Sequence, residues 1–441
     1  VHLWSHSLLS ILIGISLILW AVAAFLHEPL YALNVNFYRI PAVLLAIVLI
    51  WVFVQGSSAV PQSIQHPLWI ELQTVLDNPS ITGAISLNPD GTPLLLARLC
   101  TYAAVFWLAM QYGRSADRAS IVFWAIAITG AFYAIYGIWA HLSGSGKILF
   151  ADKWAYNQSL TSTFVNRNHY AVFAGMGLVT SFALAIKYLK RDLVGALDSP
   201  SRFINSLEYL SLRLVVLILI SVVIASALLL TQSRGGAVVT ASGLVVLILL
   251  LRTGGSLGRR STLGLLGVIA ASGLVVFAFS GGGLASRVAE SLLSTDRNLI
   301  HEIAIDAIID APFTGHGAGT FPALFHKYRG ADFPAISPAF ASAHSVYLEF
   351  AAELGLVAAG LYFGMLLIIV ARCFIGARNR RRHQIYPAAG GAIGVLIAFH
   401  SYFDFGPQIP GVAVTFAALL GVAYAQSWPT GDHRPRQSGE R

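Results

Sequence analysis

Charge is scarce in this chain. Asp, Glu, Lys and Arg make up 11% of its 441 residues, two are cysteine and 56% are hydrophobic. The mean hydropathy of +0.71 is far above that of an ordinary soluble domain. Cys100 and Cys373 fall in or beside apolar runs, so no disulfide framework or paired thiol site is implied and both read as small buried hydrophobes. The usual signatures of nucleotide and metal chemistry are also missing. There is no GxxxxGK[ST] loop, no HExxH and no Asp-x-Asp pair, while "GHGAG" (315–319) lacks the spacing of a dinucleotide fingerprint and follows a helical pattern. Nucleotide-driven chemistry and a zinc hydrolase are therefore poor readings, and neither a cofactor nor a metal is expected.

Apolar runs fill the space that charge leaves. A hydrocarbon core about 30 Å thick needs about 20 apolar residues per helix. Runs of that kind predict spans near 7–26, 40–55, 94–112, 119–140, 169–189, 212–231, 236–251, 262–281, 345–371, 387–402 and 409–426. Strict alternation over ten-residue segments is absent, which argues against a β-barrel. Residues 7–26 are long enough to span and show no small-residue cleavage site, so they read as a helix rather than a signal peptide.

The formal charge of +8 does not point to nucleic acid, because its placement explains it. Lys190 and Arg191, then Arg252, Arg259 and Arg260, then Arg378, Arg380, Arg381 and Arg382 mark alternate loops, as cytoplasmic loops are marked. The stretches 56–93, 141–168, 231–236, 282–344 and 403–408 then lie outside; the first holds Glu71, Asp77 and Asp90 but no Lys or Arg. This topology puts the N-terminus outside and the C-terminal tail inside, an odd number of spans, unless a further helix precedes residue 1. Three regions are expected: N-terminal transmembrane helices over 1–281, a helical cap loop over 282–344, and C-terminal transmembrane helices with a cytoplasmic tail over 345–441.

The loop of about sixty residues between Ser280 and Ser345 is far longer than ordinary connections. Leu299, Ile300, Ile303, Ala307 and Ile308 recur at helical spacing, with Asp296 as N-cap. Pro312, Gly315, Gly317 and Gly319 end that helix, and "TFPALFHKYRG" carries Phe321, Leu324, Phe325 and Tyr328 on one side of a second. The loop thus reads as a folded helical cap. Its six acidic and four basic residues (Arg287, Arg297, Lys327 and Arg329) do not make a generic basic patch.

Ionisable residues gather at the outer ends of spans, where they are costly unless functional or paired. "TQSRGG" sets Arg234 between two apolar runs, and its planar fork suits phosphate oxygens. "STFVNRNHYA" places Arg167, Asn168 and His169 at a helix start, where free N–H groups attract anions; an ordinary capping segment, with Asn166 or Asn168 as cap, fits equally well. Arg297 opens the first loop helix and Arg329 follows the second. In "SAHSVYLEFAAELG", Ser345, Glu349 and Glu353 share a helical face and His344 is a possible general base. Last, "FHSYFDFGPQIPG" groups His400, Asp404 and Gln408 around a proline-defined turn, where Asp404 could orient an arginine or a hydroxyl.

Taken together, "STFVNRNHYA", "TQSRGG", "DRNLIHEIAIDAIIDAPFTGHGAGTF", "AHSVYLEFAAELG" and "DFGPQIP" resemble the O-antigen ligase and polymerase superfamily of bacterial membrane glycosyltransferases, in order from residue 162 to 410. His344, Ser345 and Gly355 follow the family pattern, whereas Ala358 stands where a second glycine is usual and the glycine is delayed to Gly360. The resemblance implies an all-α, GT-C-like polytopic bundle of about 11 to 12 spans with a long helical periplasmic loop, in the bacterial inner membrane and with its active site on the periplasmic side. It implies a metal-independent, inverting transfer of a glycan from undecaprenyl diphosphate to an acceptor hydroxyl, on lipid A core for a ligase or on another glycan for a polymerase. Membrane lipids are the other expected partners, and a transporter of the same lipid-linked glycan is the alternative class. On this reading His344, Arg297 and Arg234 are catalytic, and Arg167, His169, Arg329, Glu349, Asp404 and Gln408 bind substrate.

Overall fold

The structure, a computed structural model, describes residues 3–26, 35–192, 211–279, 295–330, 342–380 and 382–428. The fold is all-α. Among the described residues nine helices are long and apolar enough to cross a membrane. They are α1 (Leu3–Leu26), α2 (Arg39–Gly56), α4 (Thr92–Tyr112), α5 (Ala116–Leu142), α6 (Arg167–Asp192), α7 (Leu212–Leu230), α8 (Arg234–Thr253), α13 (Leu356–Asn379) and α14 (Ile385–Phe403). Two further helices, α9 (Arg259–Phe279) and the shorter α15 (Pro410–Ala425), occupy the remaining predicted spans. Four short helices lie between spans: α3 (Pro67–Val75), α10 (Thr295–Asp310), α11 (Phe321–Tyr328) and α12 (Val346–Leu354). The only strands among the described residues, β1 (Lys147–Ile148) and β2 (Ala151–Asp152), form a minimal antiparallel hairpin.

Two details correct the sequence reading. The span expected over 345–371 is broken at Gly355, whose φ of +80° lies in the left-handed region and where a Cβ would collide with the Phe313 carbonyl. Residues 346–354 therefore form a separate helix, and the membrane helix starts at Leu356, whose N–H donates to Pro312 O at 2.8 Å. The described α10 includes Asp296, so this residue is not an N-cap ahead of the helix. Arg287, Glu290, Asp332 and Arg381, and the tail beyond Trp428, lie outside the described residues.

The chain divides into two compact units: residues 1–104, 282–369 and 401–405 make the first, and 105–281, 370–400 and 406–441 the second. In the first, Ile300, Ala304, Ala307, Phe321, Leu324 and Phe325 are buried together with Ala343 and Ala352, so α10, α11 and α12 share one small core. Outside the bilayer each large apolar side chain so buried stabilises by ~1.5–3 kcal/mol. This drives the loop to fold. A second cluster joins Val48, Val52 and Leu99 to Val346, Phe350 and Leu354.

The second unit is organised differently, since lipid competes with protein for apolar surface and close packing must supply the attraction. Its centre is α6, which packs on α5, α7 and α8 and has 78% of its most apolar window buried. Small residues let it approach its neighbours: the Gly130 and Gly177 backbones nearly touch, and a Cβ at Gly175 or Gly236 would strike Thr240 or Ala171.

Candidate functional site

In the first unit the site is built on the turn before α12. Glu349, in the first turn of that helix and 4% exposed, folds back on its own N-terminal approach. One carboxylate oxygen accepts the Ser342 hydroxyl at 2.5 Å and the Ala343 N–H at 2.8 Å. That clamp holds His344 at φ +53°, a left-handed conformation costly for a residue with a Cβ. Strain persists only where the surroundings impose it, and here it aims the imidazole. The ring packs edge-on against Phe405, with centroids 5.3 Å apart. Its Nδ1 lies 3.4 Å from Asp404 Oδ1, and the His344 side chain is 20% exposed while that of Asp404 is 2% exposed.

Asp404 Oδ1 also accepts the Phe405 N–H at 2.8 Å, which fixes the carboxylate. A carboxylate facing Nδ1 favours the tautomer with its proton there and leaves Nε2 to accept a proton. The 3.4 Å separation is long, and catalytic hydrogen bonds often tighten only with substrate in place. Asp404 was expected to orient an arginine or hydroxyl; the structure sets it beside the histidine.

Arg297 and His301 lie one turn apart on α10, on one face of it. Burial, then the Arg297 guanidinium and the His344 imidazole, pushes the His301 pKa below its ordinary value. Arg297, His301 and His344 thus share one electrostatic neighbourhood. His301 was missed in the sequence, although its i+4 spacing from Arg297 was there to be read.

Glu353 does structural work. Fully buried, it accepts the Phe321 N–H at 2.8 Å and so caps α11. Its pKa is raised by burial and by the neighbouring Glu349 carboxyl. The glycine loop expected to end α10 satisfies the carbonyls at the other end of α12: His316 N–H donates to Ala352 O at 3.0 Å and Gly317 N–H to Glu353 O at 2.9 Å. Gln55 Nε2 donates to Glu353 O and Thr314 O, both at 2.8 Å, and Trp51 Nε1 to Leu354 O at 2.8 Å.

Below this lies a second histidine pair that no sequence pattern announced. Leu68 N–H donates to His66 Nδ1 at 3.2 Å, so His66 carries its proton on Nε2, which meets His316 Nδ1 at 3.0 Å; His316 Nε2 then donates to Ala307 O at 2.9 Å. The chain of bonds works only with both rings neutral. Burial, then Lys327 and His316, lowers the His66 pKa to about 4, against a smaller opposing pull from Asp310. His316 is lowered too, again chiefly by burial. Arg329 follows α11 at an exposed position.

In the second unit, Arg167 and Arg234 are each the first residue of a helix, α6 and α8. The Asn166 side chain accepts the Asn168 N–H at 2.8 Å, capping α6. Ser233 caps α8 by accepting Gly236 N–H at 3.1 Å, and its hydroxyl donates to Asn168 Oδ1 at 2.8 Å. Two helix N-termini bearing guanidinium groups are thereby tied side by side, an arrangement that attracts an anion. Both arginines are half-buried. His169, the third residue of α6, is buried, and Gln408 sits in the 3₁₀ turn Gly406–Gln408. Among the described residues no three His, Cys, Asp or Glu side chains gather to ligate a metal.

These features define a multi-pass membrane protein whose ionisable side chains are held at helix starts and in a folded loop. Residues 216–363, about a third of the chain, match the family model described as O-antigen ligase. The match takes in Arg234, Arg297, His344 and Glu349, and it supports placing the chain in the O-antigen ligase/polymerase superfamily. No curated protein matches the chain.

Proposed function

We propose that this protein is an O-antigen ligase-type glycosyltransferase that moves a glycan from undecaprenyl diphosphate to a hydroxyl of lipid A core, at the periplasmic face of the bacterial inner membrane. The observation that carries the reading is the His344–Asp404 pair beside Arg297 and His301. His344 Nε2 accepts the proton of the acceptor hydroxyl as its oxygen attacks the anomeric carbon. The bond from that carbon to the diphosphate breaks on the opposite face, so configuration inverts. Charge grows on the leaving diphosphate, and preorganised cations stabilise it more in the transition state than in the ground state. Arg297 is assigned that role with no metal required, and Arg234, with Arg167 a lesser contributor, is assigned the binding of a substrate phosphate at the paired starts of α6 and α8. Glu349 acts by holding the turn that aims His344.

The test is glycan analysis of a deletion strain carrying the wild-type chain or its His344→Ala variant. Full-length glycans accumulating on the lipid carrier in the variant support the ligase. Single repeat units accumulating instead identify a polymerase of the same superfamily. Wild-type transfer by folded, inserted His344→Ala and Arg234→Ala proteins refutes the mechanism.

A further inference from the structure

The loop after α5 has a role in neither half of the proposed reaction, yet it encloses a cavity. The last two turns of α5, through Ala140 and His141, form one wall, and the turn "SGSGK" (143–147) and the segment 157–162 form the others. The cavity measures about 200 Å³, below the ~300–1,000 Å³ of sites for drug-sized ligands, so it takes a headgroup rather than a whole molecule. Gly144 and Gly146 take positive φ of +62° and +58°, which bends the backbone around the opening. Two cations, Lys147 and Lys153, line it, and no carboxylate does. Lys153 Nζ is held by the Ser159 carbonyl at 2.7 Å, while Ser159 Oγ accepts Arg167 Nη1 at 3.2 Å. Lys153 is thus fixed at the lining and linked through one residue to a third cation.

The rim is apolar. Phe150 at the hairpin tip is 99% exposed, Trp154 78% and Leu149 55%, and Trp139 and Leu142 on α5 are exposed as well. Such side chains in water are a liability. At a membrane surface they are anchors, and tryptophan favours that depth. The length of α5 sets the depth independently. Its 27 residues span ~40 Å at 1.5 Å per residue, which exceeds the ~30 Å hydrocarbon core and reaches the headgroup layer. A cavity walled by its last two turns opens among headgroups.

We infer that this cavity is a binding site for the phosphate of a lipid headgroup, with Lys147 and Lys153 on the phosphate and Leu149, Phe150 and Trp154 on the adjoining apolar chain. The site stands whether or not the chain transfers a glycan. Two sources offer this chemistry: bulk anionic phospholipid, and a polyprenyl phosphate.

Native mass spectrometry of the full chain released from nanodiscs reads the occupancy. The discs hold phosphatidylcholine alone, or phosphatidylcholine with phosphatidylglycerol or with a polyprenyl monophosphate. A basic residue near an anionic lipid surface is worth roughly fivefold in affinity. The double variant Lys147→Gln/Lys153→Gln, which keeps a donor for the Ser159 carbonyl, is therefore expected to retain anionic lipid about twentyfold less well, with phosphatidylcholine adducts unchanged. A Phe150→Ser/Trp154→Ser variant should lose lipid in parallel while its affinity for inorganic phosphate stays the same. Preference for the polyprenyl phosphate identifies the carrier as the ligand, and equal retention of both identifies bulk lipid. Equal retention of anionic lipid by the wild type and the lysine variant, both with unchanged melting, overturns the inference. So does displacement of the lipid by equimolar inorganic phosphate, since the apolar rim would then contribute nothing.

Discussion

Acidification should loosen the loop that carries His66. In the closed structure His66 accepts from Leu68 N–H and donates to His316, so a second proton on either ring removes an acceptor, and protonation of both sets two cationic rings with nitrogens 3.0 Å apart. His66 is 5% exposed. Lys327 opposes its protonation, Asp310 favours it more weakly, and Tyr328 approaches the partner ring, its hydroxyl 3.5 Å from His316 Nε2. The sign follows from the depressed pKa. The open loop takes up its proton near the ordinary value of 6.5 and the closed loop only near about 4, so closure is complete above pH 6.5 and weakens as pH falls between these values. The full difference corresponds to roughly 3 kcal/mol. At pH 5 it amounts to about 2 kcal/mol, or roughly thirtyfold in the opening equilibrium. Because the rings share one hydrogen bond, that figure belongs to the pair. Hydrogen exchange followed by mass spectrometry, corrected for intrinsic rates, should show protection of residues 66–69 and 316–317 falling about thirtyfold from pH 7.5 to pH 5, and the fall should shrink in His66→Gln. Equal protection at the two pH values, or an undiminished fall in His66→Gln, would refute the reasoning.

Three substitutions probe the other arrangements. Asp404→Asn keeps the shape beside His344 but exchanges an acceptor for a mixed amide, and glycan transfer should fall by about 10² or more with little change in KM, since mispositioning a general base costs on the order of 10²–10⁴. Glu349→Ala leaves the Ser342 hydroxyl and Ala343 N–H without their acceptor, a loss of ~1–3 kcal/mol; both the melting temperature in detergent and the transfer rate should drop, while Glu349→Gln recovers more of the first than of the second. Gly355→Ala forces a Cβ into a left-handed residue facing the Phe313 carbonyl. It should cost more than ~1–2 kcal/mol, read as a shorter thermal half-life, whereas Gly360→Ala, with open space at that Cβ, should have no such effect.

The spans were legible because a run of twenty apolar residues is a local property that the bilayer reads directly. The folded loop was legible for the same kind of reason: Phe321, Leu324 and Phe325 recur at helical spacing and are buried together. Arg167 was legible at a helix start because capping residues precede it, whereas Arg234, read as lying between two apolar runs, is the first residue of α8. The break at Gly355 was not read, since nothing in "EFAAELGLVAAG" says that the Phe313 carbonyl will occupy the space of a Cβ. The two glutamates were read only as sharing one helical face, with Glu349 expected to bind substrate. They proved to be buried caps because the segments they cap, 342–343 and 319–321, return to α12 only in the folded chain.

Hydropathy, caps and periodicity act within a few turns of chain, and they were enough to specify a multi-pass helical membrane protein with ionisable residues at the outer ends of spans and one folded loop. Which of those residues act on one another is set by how distant segments pack. Asp404 faces His344 across sixty residues of sequence, and His66 meets His316 across 250. Such distances are set by the packing of helices far apart in the chain, and no local pattern encodes them.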